Sequence, residues 1–380
     1  MKIVLSGAFN PHFEALPEYL ASALRRLGHQ MIVFDHRAFL IPGRLRAGLA
    51  FLDRFDRERL NARLVRLIRR ERPDLLIVNQ GMVLVRRTVE QARACGVRCV
   101  NWFSDFPAEF EEGLAIASAY DAFFLGSSFA ARRHREAGHR HAAWLPFGCD
   151  PHAHHPDDPA AAEPRRFHGD GAQSRLDAPP VVFVGSYYPE RQILLRFLRG
   201  LPVGVWGPGW LRAANDPRVA PMIRGGALRP AAWRALYARC RVALNIHYGS
   251  FGPEDVSGDL ANTRVFEIPA CGSYQVVDRQ GDVLRLFKEG EHLAAFSSGE
   301  ELRARVEEAL TDDDRRRSVA ARGRAEVLAH HTYEHRACQL VDKVAVVADD
   351  AVPEARAAEG TPSRGATWGC AGGGAQRGPR

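Results

Sequence analysis

Short apolar runs alternate with longer helical patterns along the first 150 residues. The runs KIVLSG (2–7), MIVFD (31–35) and PDLLIVN (73–79) are each followed by apolar positions at helical spacing. The first of these helices has Pro17 in its predicted first turn and Gly28 at its predicted end, which are common positions for these residue types. The pattern predicts repeated strand–helix units.

The alternation continues through most of the chain. A long Arg-rich helix is expected from about residue 53 to 72. Further apolar runs are VRCVNWF (97–103), YDAFFLG (120–126), VVFVGS (181–186), VGVWG (203–207) and VALNIH (242–247). Strands that are apolar throughout and are joined by amphipathic helices are typical of parallel sheets covered on both faces. The predicted fold class is α/β, with two doubly wound, Rossmann-like domains.

The periodic pattern stops twice, which divides the chain. We predict a first domain over residues 1–150, a Pro- and His-rich linker or insertion over 151–179, a second domain over 180–348, and a disordered tail over 349–380. Ligands of such domains bind at the carboxyl ends of the strands. We therefore expect the functional site in a cleft between the two domains.

Composition narrows the class of protein. The 380 residues are 46% hydrophobic and 26% charged, as in globular proteins, and no run of 18 apolar residues predicts a membrane span. The polar residues soon after the N-terminus argue against a secretory signal, so we expect a cytoplasmic protein. The seven Cys are scattered without a C-x-x-C pair, which argues against a zinc site or a disulfide framework.

The net charge of +7 does not by itself predict nucleic-acid binding. The Arg residues are interleaved with Asp and Glu along helix-like segments and do not form one basic stripe. Some positive charge nevertheless suits a ligand that carries phosphate.

The loop after the run at 181–184 is one candidate anion site. Gly185 and Ser186 end the predicted strand, and Arg191 lies near the start of the next helix, where backbone N–H groups favour an anion. A diphosphate would suit this loop. An ordinary strand–helix junction with a surface Arg is the alternative.

The stretch NTRVFEIPACGSYQVVD places three polar side chains near a predicted helix start. Asn262, Arg264 and Glu267 lie within six residues. A Glu here could accept two ribose hydroxyls, while Arg264 and the helix N-terminus could hold phosphate. The alternative is a capped helix whose Glu complements the helix dipole.

In the first domain, VNWFSDFP (100–107) carries Asp105 from a strand end into the expected cleft, so Asp105 is the candidate catalytic base. A turn-forming role is the alternative. Trp102, Asn10 and His12 are candidates on the acceptor side.

Three further features have less weight. The histidines of HAHHPDD (152–158) are interpreted as part of a solvated linker rather than a metal site, and the acidic run at 312–314 as a helix cap. His247 is a secondary candidate for approaching the donor.

The chain resembles the CgeB-like glycosyltransferases, which have the GT-B fold and are related to family-4 glycosyltransferases. The similar segments run in order from about residue 73 to 336: PDLLIVNQG, VNWFSDFP, YDAFFLGSS, WLPFGCDPHAHHP, VVFVGSYYPER, VALNIHYG, NTRVFEIPACGSYQVVD, LFKEGEHLAAFSSGEELRARVEEAL and HHTYEHR.

The resemblance implies a nucleotide-sugar donor in the second domain. Of the two acidic residues spaced eight apart in family 4, the later matches Glu267 and the earlier falls on Asp259 instead of Glu. The cation pair that grips the diphosphate maps to Ser186 and Arg191, so one cation is missing and Arg264 is the candidate substitute.

The expected function is therefore glycosyl transfer from a nucleotide diphosphate sugar, without a metal or other cofactor, because Arg and helix N-termini can neutralise the leaving diphosphate. The acceptor is left open among a glycan, a lipid-linked molecule and a protein, with no nucleic-acid partner. Contact with a membrane surface is compatible with this expectation, as is a role in making cell-surface polysaccharide or another glycoconjugate. A nucleotide-sugar epimerase of the same fold and a non-catalytic binding protein are the alternatives.

Overall fold

The computed structural model of the protein describes residues 1–10, 14–104, 110–156, 178–249 and 259–349, with side chains up to residue 343. The predicted disordered tail is outside this part of the chain, apart from Asp349, and so is most of the predicted linker. Among the described helices, none combines the length and the apolar character needed to cross a bilayer.

The first domain is built on a six-stranded parallel sheet with strand order β2-β1-β3-β4-β5-β6. Its strands are β1 Lys2–Gly7, β2 Gln30–Asp35, β3 Leu75–Asn79, β4 Arg98–Phe103, β5 Ala122–Leu125 and β6 Ala142–Trp144. Its helices are α1 Leu16–Arg26, α2 Gly43–Gly48, α3 Ala50–Glu71, α4 Arg86–Ala94, α5 Phe110–Ala117 and α6 Ser128–Glu136.

The second domain repeats this architecture with strand order β12-β11-β10-β7-β8-β9, again parallel throughout. Its strands are β7 Val181–Val184, β8 Val203–Trp206, β9 Ile223–Gly225, β10 Val242–Asn245, β11 Tyr274–Asp278 and β12 Ala294–Phe296. Its helices are α7 Pro189–Arg196, α8 Pro230–Arg239, α9 Arg264–Ala270, α10 Gly281–Leu286, α11 Gly299–Thr311, α12 Asp313–His330 and α13 Tyr333–Asp349. The predicted fold class, two doubly wound parallel-sheet domains, is confirmed.

The cores follow from the alternation of side chains along buried parallel strands. In β1, Ile3 and Leu5 pack on the face covered by α1, whereas Val4 packs on the opposite face with Leu60 and Leu64 of α3. Both faces are apolar because helices cover both, which explains why these strands are hydrophobic at nearly every position.

The two domains are joined by two crossings of the chain that lie side by side. Cys149 donates its N–H to His331 O over 3.0 Å, and Tyr333 donates its N–H to Cys149 O over 2.8 Å. After the second crossing, α13 returns to pack on α1 of the first domain. Arg26 of α1 reinforces the junction by binding Asp150 at 2.9 Å and Glu334 at 2.6 Å.

The described start of the predicted linker is not fully solvated. His154 is completely buried between the domains, whereas His152 on the same turn is exposed. The composition of the segment predicted a solvated linker, and it gave no indication that the His154 ring is buried in an interdomain contact. The acidic run at 312–314 does cap a helix, since the Asp312 side chain accepts the Arg315 N–H at the start of α12.

A glycine at the first crossing provides a test of how tightly the junction is packed. A Cβ on Gly148 would lie 2.9 Å from the carbonyl oxygen of His331, which is backbone and cannot rotate away. We expect Gly148→Ala to lower the melting temperature by about 3 to 8 °C through overpacking. Gly226→Ala is the matched control, because a Cβ there meets nothing within 4 Å. Equal melting temperatures in a thermal unfolding experiment would contradict the close packing.

Candidate functional site

The carboxyl ends of the two sheets face each other. Ser127 and Ser128 follow β5 of the first domain, and they contact residues near the carboxyl ends of strands in the second domain. The Ser127 hydroxyl donates to Asp259 O, and the Ser128 N–H donates to the Asp282 carboxylate at 2.8 Å. The loops predicted to carry function therefore border one interdomain region.

Arg191 is held at the carboxyl ends of β7 and β10. Its Nε–H donates to Ile246 O at 3.1 Å, one terminal nitrogen donates to Ser186 O at 2.9 Å, and the other donates again to Ile246 O at 2.5 Å. These bonds use three of the five guanidinium N–H groups. Among the described residues no carboxylate forms an ion pair with Arg191. Burial lowers the pKa of this guanidinium because it disfavours the charged form, so an anion bound beside Arg191 would stabilise the cation.

The loop around Gly185 and Ser186 is held by its neighbours. The Gly185 N–H donates to Trp206 O at 2.9 Å, and its carbonyl accepts the Trp210 indole N–H at 2.8 Å. Gly207 adopts φ 148°, and a Cβ there would lie 1.9 Å from Gly185 O, so glycine is required for this approach. The Gly185 backbone groups are therefore occupied, which leaves Ser186 and Arg191 as the candidate donors to a ligand.

Asn262 belongs to a polar network centred on Asp278. The buried Asp278 Oδ1 accepts both the backbone N–H and the Nδ1–H of His247, each over 2.8 Å. The opposite ring nitrogen, Nε2, then accepts the Asn262 N–H at 3.1 Å. The Asn262 and Asn245 side chains exchange two hydrogen bonds of 3.0 Å. Both nitrogens of His247 are used in this arrangement, so His247 is not available as a general base.

Arg264 and Glu267 pair with each other at the start of α9. Their side chains form an ion pair, and the Arg264 guanidinium carbon lies 3.9 Å from the ring centroid of Trp233. The Glu267 residue is only 5% exposed. The structure thus brings together the predicted Arg264 and Glu267, and it adds an aromatic platform beneath the cation.

His154 lies on the other side of Glu267. Its Nε2 is 3.8 Å from Glu267 Oε1, and its ring stacks on Trp233 at 5.6 Å. Its Nδ1 lies 3.0 Å from the backbone nitrogen and 3.1 Å from the carbonyl oxygen of Asp150, and its buried Nε2 forms no hydrogen bond with the described residues. Burial lowers the pKa of His154 to about 4, so the ring is neutral at neutral pH. Nothing in the linker's composition indicated this role.

Asp259 lies in a polar cluster at the boundary between the domains. Its carboxylate lies 3.2 Å from Arg285, and Arg285 also binds Asp282 at 2.8 Å and the hydroxyl of Ser128. The Asp259 carbonyl accepts from Ser127. Asp259 therefore contacts the first domain through this cluster, an arrangement that the eight-residue spacing from Glu267 did not indicate.

The predicted residues of the first domain are only partly described. Asp105 and His12 lie outside the described residues. The Asn10 N–H donates to the carboxylate of Glu18. Trp102, which was predicted to lie on the acceptor side, is fully buried. Its indole N–H donates to Leu145 O at 3.2 Å, and its ring stacks on Phe147. Because Trp102 is part of the core, it does not line an acceptor pocket.

Gln80 is a residue that the sequence analysis missed. It follows β3 with φ 64°, an uncommon conformation for a non-glycine residue that occurs most often where the surroundings enforce it. Its Oε1 accepts the N–H of Ser104 at 2.6 Å and the Ser104 hydroxyl at 2.8 Å. Gln80 thus holds the residue immediately before Asp105 at the carboxyl end of β4. A polar residue directly after the strand PDLLIVN was the available indication.

Two tyrosines were also missed. Tyr188 and Tyr248 pack with ring centroids 4.6 Å apart, and the guanidinium carbon of Arg191 lies 5.0 Å from the Tyr188 ring. Tyr248 is half exposed. Each of these tyrosines comes soon after a predicted strand, Tyr188 after VVFVGS and Tyr248 after VALNIH, and this position was the indication in the sequence. Among the described residues there is no cluster of three or more His, Cys, Asp or Glu able to hold a metal ion.

Comparison with protein families gives one match, to a family described as "Glycosyl transferase-like", over residues 191–342. That range is less than half of the chain and includes Arg191, Arg264 and Glu267. No curated protein matches the sequence.

Solved structures similar to this chain share its two-domain fold. Anabaena HepE in complex with UDP-glucose is 13% identical, with TM-score 0.62, covering 91% of this chain and 100% of HepE. Sucrose-phosphate synthase from Thermosynechococcus elongatus is 13% identical, with TM-score 0.61, over 92% and 99% of the two chains. A protein from Listeria monocytogenes assigned as a UDP-N-acetylglucosamine 2-epimerase is 12% identical, with TM-score 0.55, over 92% and 97%. These similarities establish the GT-B fold.

The Arg264–Glu267 pair gives a test of the site's construction. Glu267→Gln leaves the largely enclosed Arg264 without its counter-charge, so we expect a loss of about 1 to 3 kcal/mol in the free energy of unfolding. Glu58→Gln, which breaks the exposed Arg54–Glu58 pair, should change it by less than about 0.5 kcal/mol. Urea unfolding followed by circular dichroism measures both, and similar losses in the two variants would contradict the buried pair.

Proposed function

We propose that this protein is a glycosyltransferase that uses a nucleotide diphosphate sugar as donor and binds it at the carboxyl ends of β7 and β10. The observation that carries the proposal is Arg191. Its guanidinium is fixed by two strand-end carbonyls, keeps two N–H groups unused, and has no carboxylate partner among the described residues. A cation built in this way favours a phosphate-bearing ligand.

Arg191 would stabilise the charge that develops on the leaving diphosphate. As the glycosidic bond to the donor phosphate breaks, negative charge accumulates on the phosphate oxygen, and a pre-positioned cation lowers the barrier most at that stage. Ser186, adjacent to Arg191, is the neighbouring donor, and the N-terminus of α7 adds its partial positive charge. The proposed reaction needs no metal ion or other cofactor.

Glu267 and Arg264 are proposed to bind the nucleoside part of the donor. Ribose hydroxyls would compete with Arg264 for the Glu267 oxygens, and the neutral His154 ring lies on the other side of the same carboxylate, with Nε2 3.8 Å from Oε1. Support comes from the match of this region to a glycosyltransferase-like family and from the sequence resemblance of NTRVFEIPACGSYQVVD. Asn262 is proposed to shape this loop, since its contacts are to Asn245 and His247. Asp259 is proposed to approach the donor sugar.

Asp105 is proposed as the general base that accepts the acceptor proton. Gln80 and Ser104 fix the chain just before it, at the carboxyl end of β4. Asn10 and His12 are proposed to border the acceptor. The acceptor is a glycan, a lipid-linked molecule or a protein.

The finer assignment rests on the sequence resemblance. We propose that the enzyme is CgeB-like, acts in the cytoplasm, and contributes to a cell-surface polysaccharide or another glycoconjugate. A thermal-shift screen of nucleotide sugars, followed by transfer assays with the donor that binds, tests the assignment.

An epimerase is the second candidate, favoured by the similarity to the Listeria protein. An epimerase would convert the free nucleotide sugar without any acceptor. Incubating the bound donor with the enzyme alone and following its sugar protons by NMR separates the two activities: isomerised donor supports the epimerase, whereas slow hydrolysis supports the transferase. A donor that binds and is neither hydrolysed nor isomerised supports a non-catalytic binding protein.

The proposed role of Arg191 predicts a specific loss of affinity. Arg191→Gln should weaken binding of a nucleotide diphosphate at least tenfold, because a charge-assisted hydrogen bond is worth about 1.5 to 3 kcal/mol. Arg199→Gln is the control: Arg199 is exposed just beyond the same helix and forms no ion pair among the described residues. Isothermal titration with UDP measures both variants. Equal affinities would remove Arg191 from the donor site.

The proposed role of Asp105 predicts a loss of turnover with binding retained. Asp105→Asn removes the basic carboxylate but keeps its size, so the transfer rate should fall about 10²- to 10⁴-fold while donor affinity stays nearly unchanged. Single-turnover transfer and donor titration together give the two quantities. A rate within a few-fold of the unmodified enzyme would exclude Asp105 as the base and direct attention to His12.

A further inference from the structure

Five of the protein's exposed large apolar side chains lie within 16 residues of the first domain. Leu40, Leu45, Leu49, Phe51 and Phe55 are between 46 and 67% exposed. They belong to the segment before α2, to α2 itself, to the junction between α2 and α3 at Leu49, and to the first turns of α3. None of the residues of α2 is buried. Large apolar side chains exposed this close together in the chain point to a surface that contacts another molecule.

This surface, residues 40–55, is held in a defined shape. The buried carboxylate of Asp56 accepts the N–H groups of Leu40 at 3.0 Å and Ile41 at 2.7 Å. Arg46 binds Ile41 O at 3.1 Å and Asp53 at 2.9 Å. The segment before α2 is therefore anchored to α3, and its apolar side chains are presented outward by a fixed backbone.

The same part of the chain contains most of the net positive charge. Residues 43–71 contain nine Arg and four Asp or Glu, a net charge of +5, whereas the whole chain has +7. Each of the four acids pairs with at least one Arg. Among the described residues, the exposed Arg44, Arg66 and Arg69 have no ion pair, so their charge is uncompensated.

We propose that the 40–55 surface docks on an anionic lipid bilayer. The apolar side chains would enter the interface between headgroups and acyl chains, while the surplus Arg residues would bind lipid phosphates. The combination of apolar and basic side chains favours a membrane over a nucleic acid as the partner. Leucines do not stack on nucleobases, so three of the five apolar groups would be unused on a nucleic acid.

Charge also argues against two other occupants. A second copy of this chain, docked through the same surface around a two-fold axis, would bring two surfaces of net charge +2 together, since residues 40–55 contain three Arg and one Asp. Residues 350–380 contain four Arg and three Asp or Glu, so the C-terminal segment is also positive and offers no complement. An anionic membrane complements both features of the surface.

The position of the surface relates it to the cleft. It is connected to the carboxyl end of β2, which is the same end of the sheet that holds Asn10 and Ser104. Docking would bring the cleft edge of the first domain close to the bilayer. The inference is independent of the proposed reaction, because the test measures binding to lipid only.

The experiment is co-sedimentation of the full-length protein with vesicles. We expect binding to phosphatidylcholine–phosphatidylglycerol vesicles, little binding to pure phosphatidylcholine vesicles, and release at high salt, since exposed charges are screened. The double variant Phe51→Ser, Phe55→Ser should lower the partition coefficient about tenfold or more, because two apolar side chains no longer enter the interface. Leu211→Ser is the control, as Leu211 is 84% exposed in the second domain.

A second pair of variants tests the charge. Arg44→Glu should weaken binding to the anionic vesicles about tenfold, whereas Arg199→Glu, which makes the same change in net charge elsewhere, should leave it nearly unchanged. Thermal unfolding confirms that each variant is folded. Three results would overturn the proposal: no binding to anionic vesicles, equal effects of the test and control variants, or a dimer that the phenylalanine variants dissociate.

Discussion

The buried carboxylate of Asp278 organises the carboxyl edge of the second sheet. It holds the backbone and the ring of His247, and that ring in turn fixes Asn262 ahead of α9. The ends of β10 and β11 and the start of α9 are thereby connected through the carboxylate of Asp278. The positions of Arg191, anchored on Ile246, and of Glu267, carried by α9, both depend on this edge. A charge buried in this way is stable only when its hydrogen bonds are complete, so the loop geometry follows from electrostatics as much as from packing.

The interdomain junction combines apolar packing with a small number of polar contacts. One continuous core includes Ile3 and Trp102 of the first sheet together with Phe266 and Tyr333 of the second half of the chain. Such a shared core limits how the domains can move, because a well-packed interior does not deform gradually. The polar contacts of Ser127 and Ser128 lie at a different part of the boundary, near the strand ends. The boundary therefore has an apolar part and a polar part.

Much of the fold could be predicted from periodicity, because strands buried on both faces are apolar at every position and are separated by helical spacing. The prediction missed the three-residue edge strands β6, β9 and β12 and the short helices α2 and α5. Segments of so few residues are too short to show the hydrophobic period of a strand or a helix. Within the site, the positions of Ser186, Arg191 and Glu267 relative to their helices were predictable. The burial of His154 was not, because it depends on Trp233, 79 residues further along the chain. Trp102 was misassigned for a similar reason: position at a strand end does not reveal which way a side chain faces.

The contact between Asp282 and α6 links helix stability to the arrangement of the domains. The Asp282 carboxylate accepts the N–H of Ser128 in the first turn of a helix that belongs to the other domain. Separation of the domains at this edge would expose a helix N-terminus whose first N–H groups have lost an anionic acceptor. The free energy of that lost cap then becomes part of the equilibrium between closed and open forms. Amide hydrogen exchange at Ser128 consequently reports on a movement between domains, although the group itself lies within one of them.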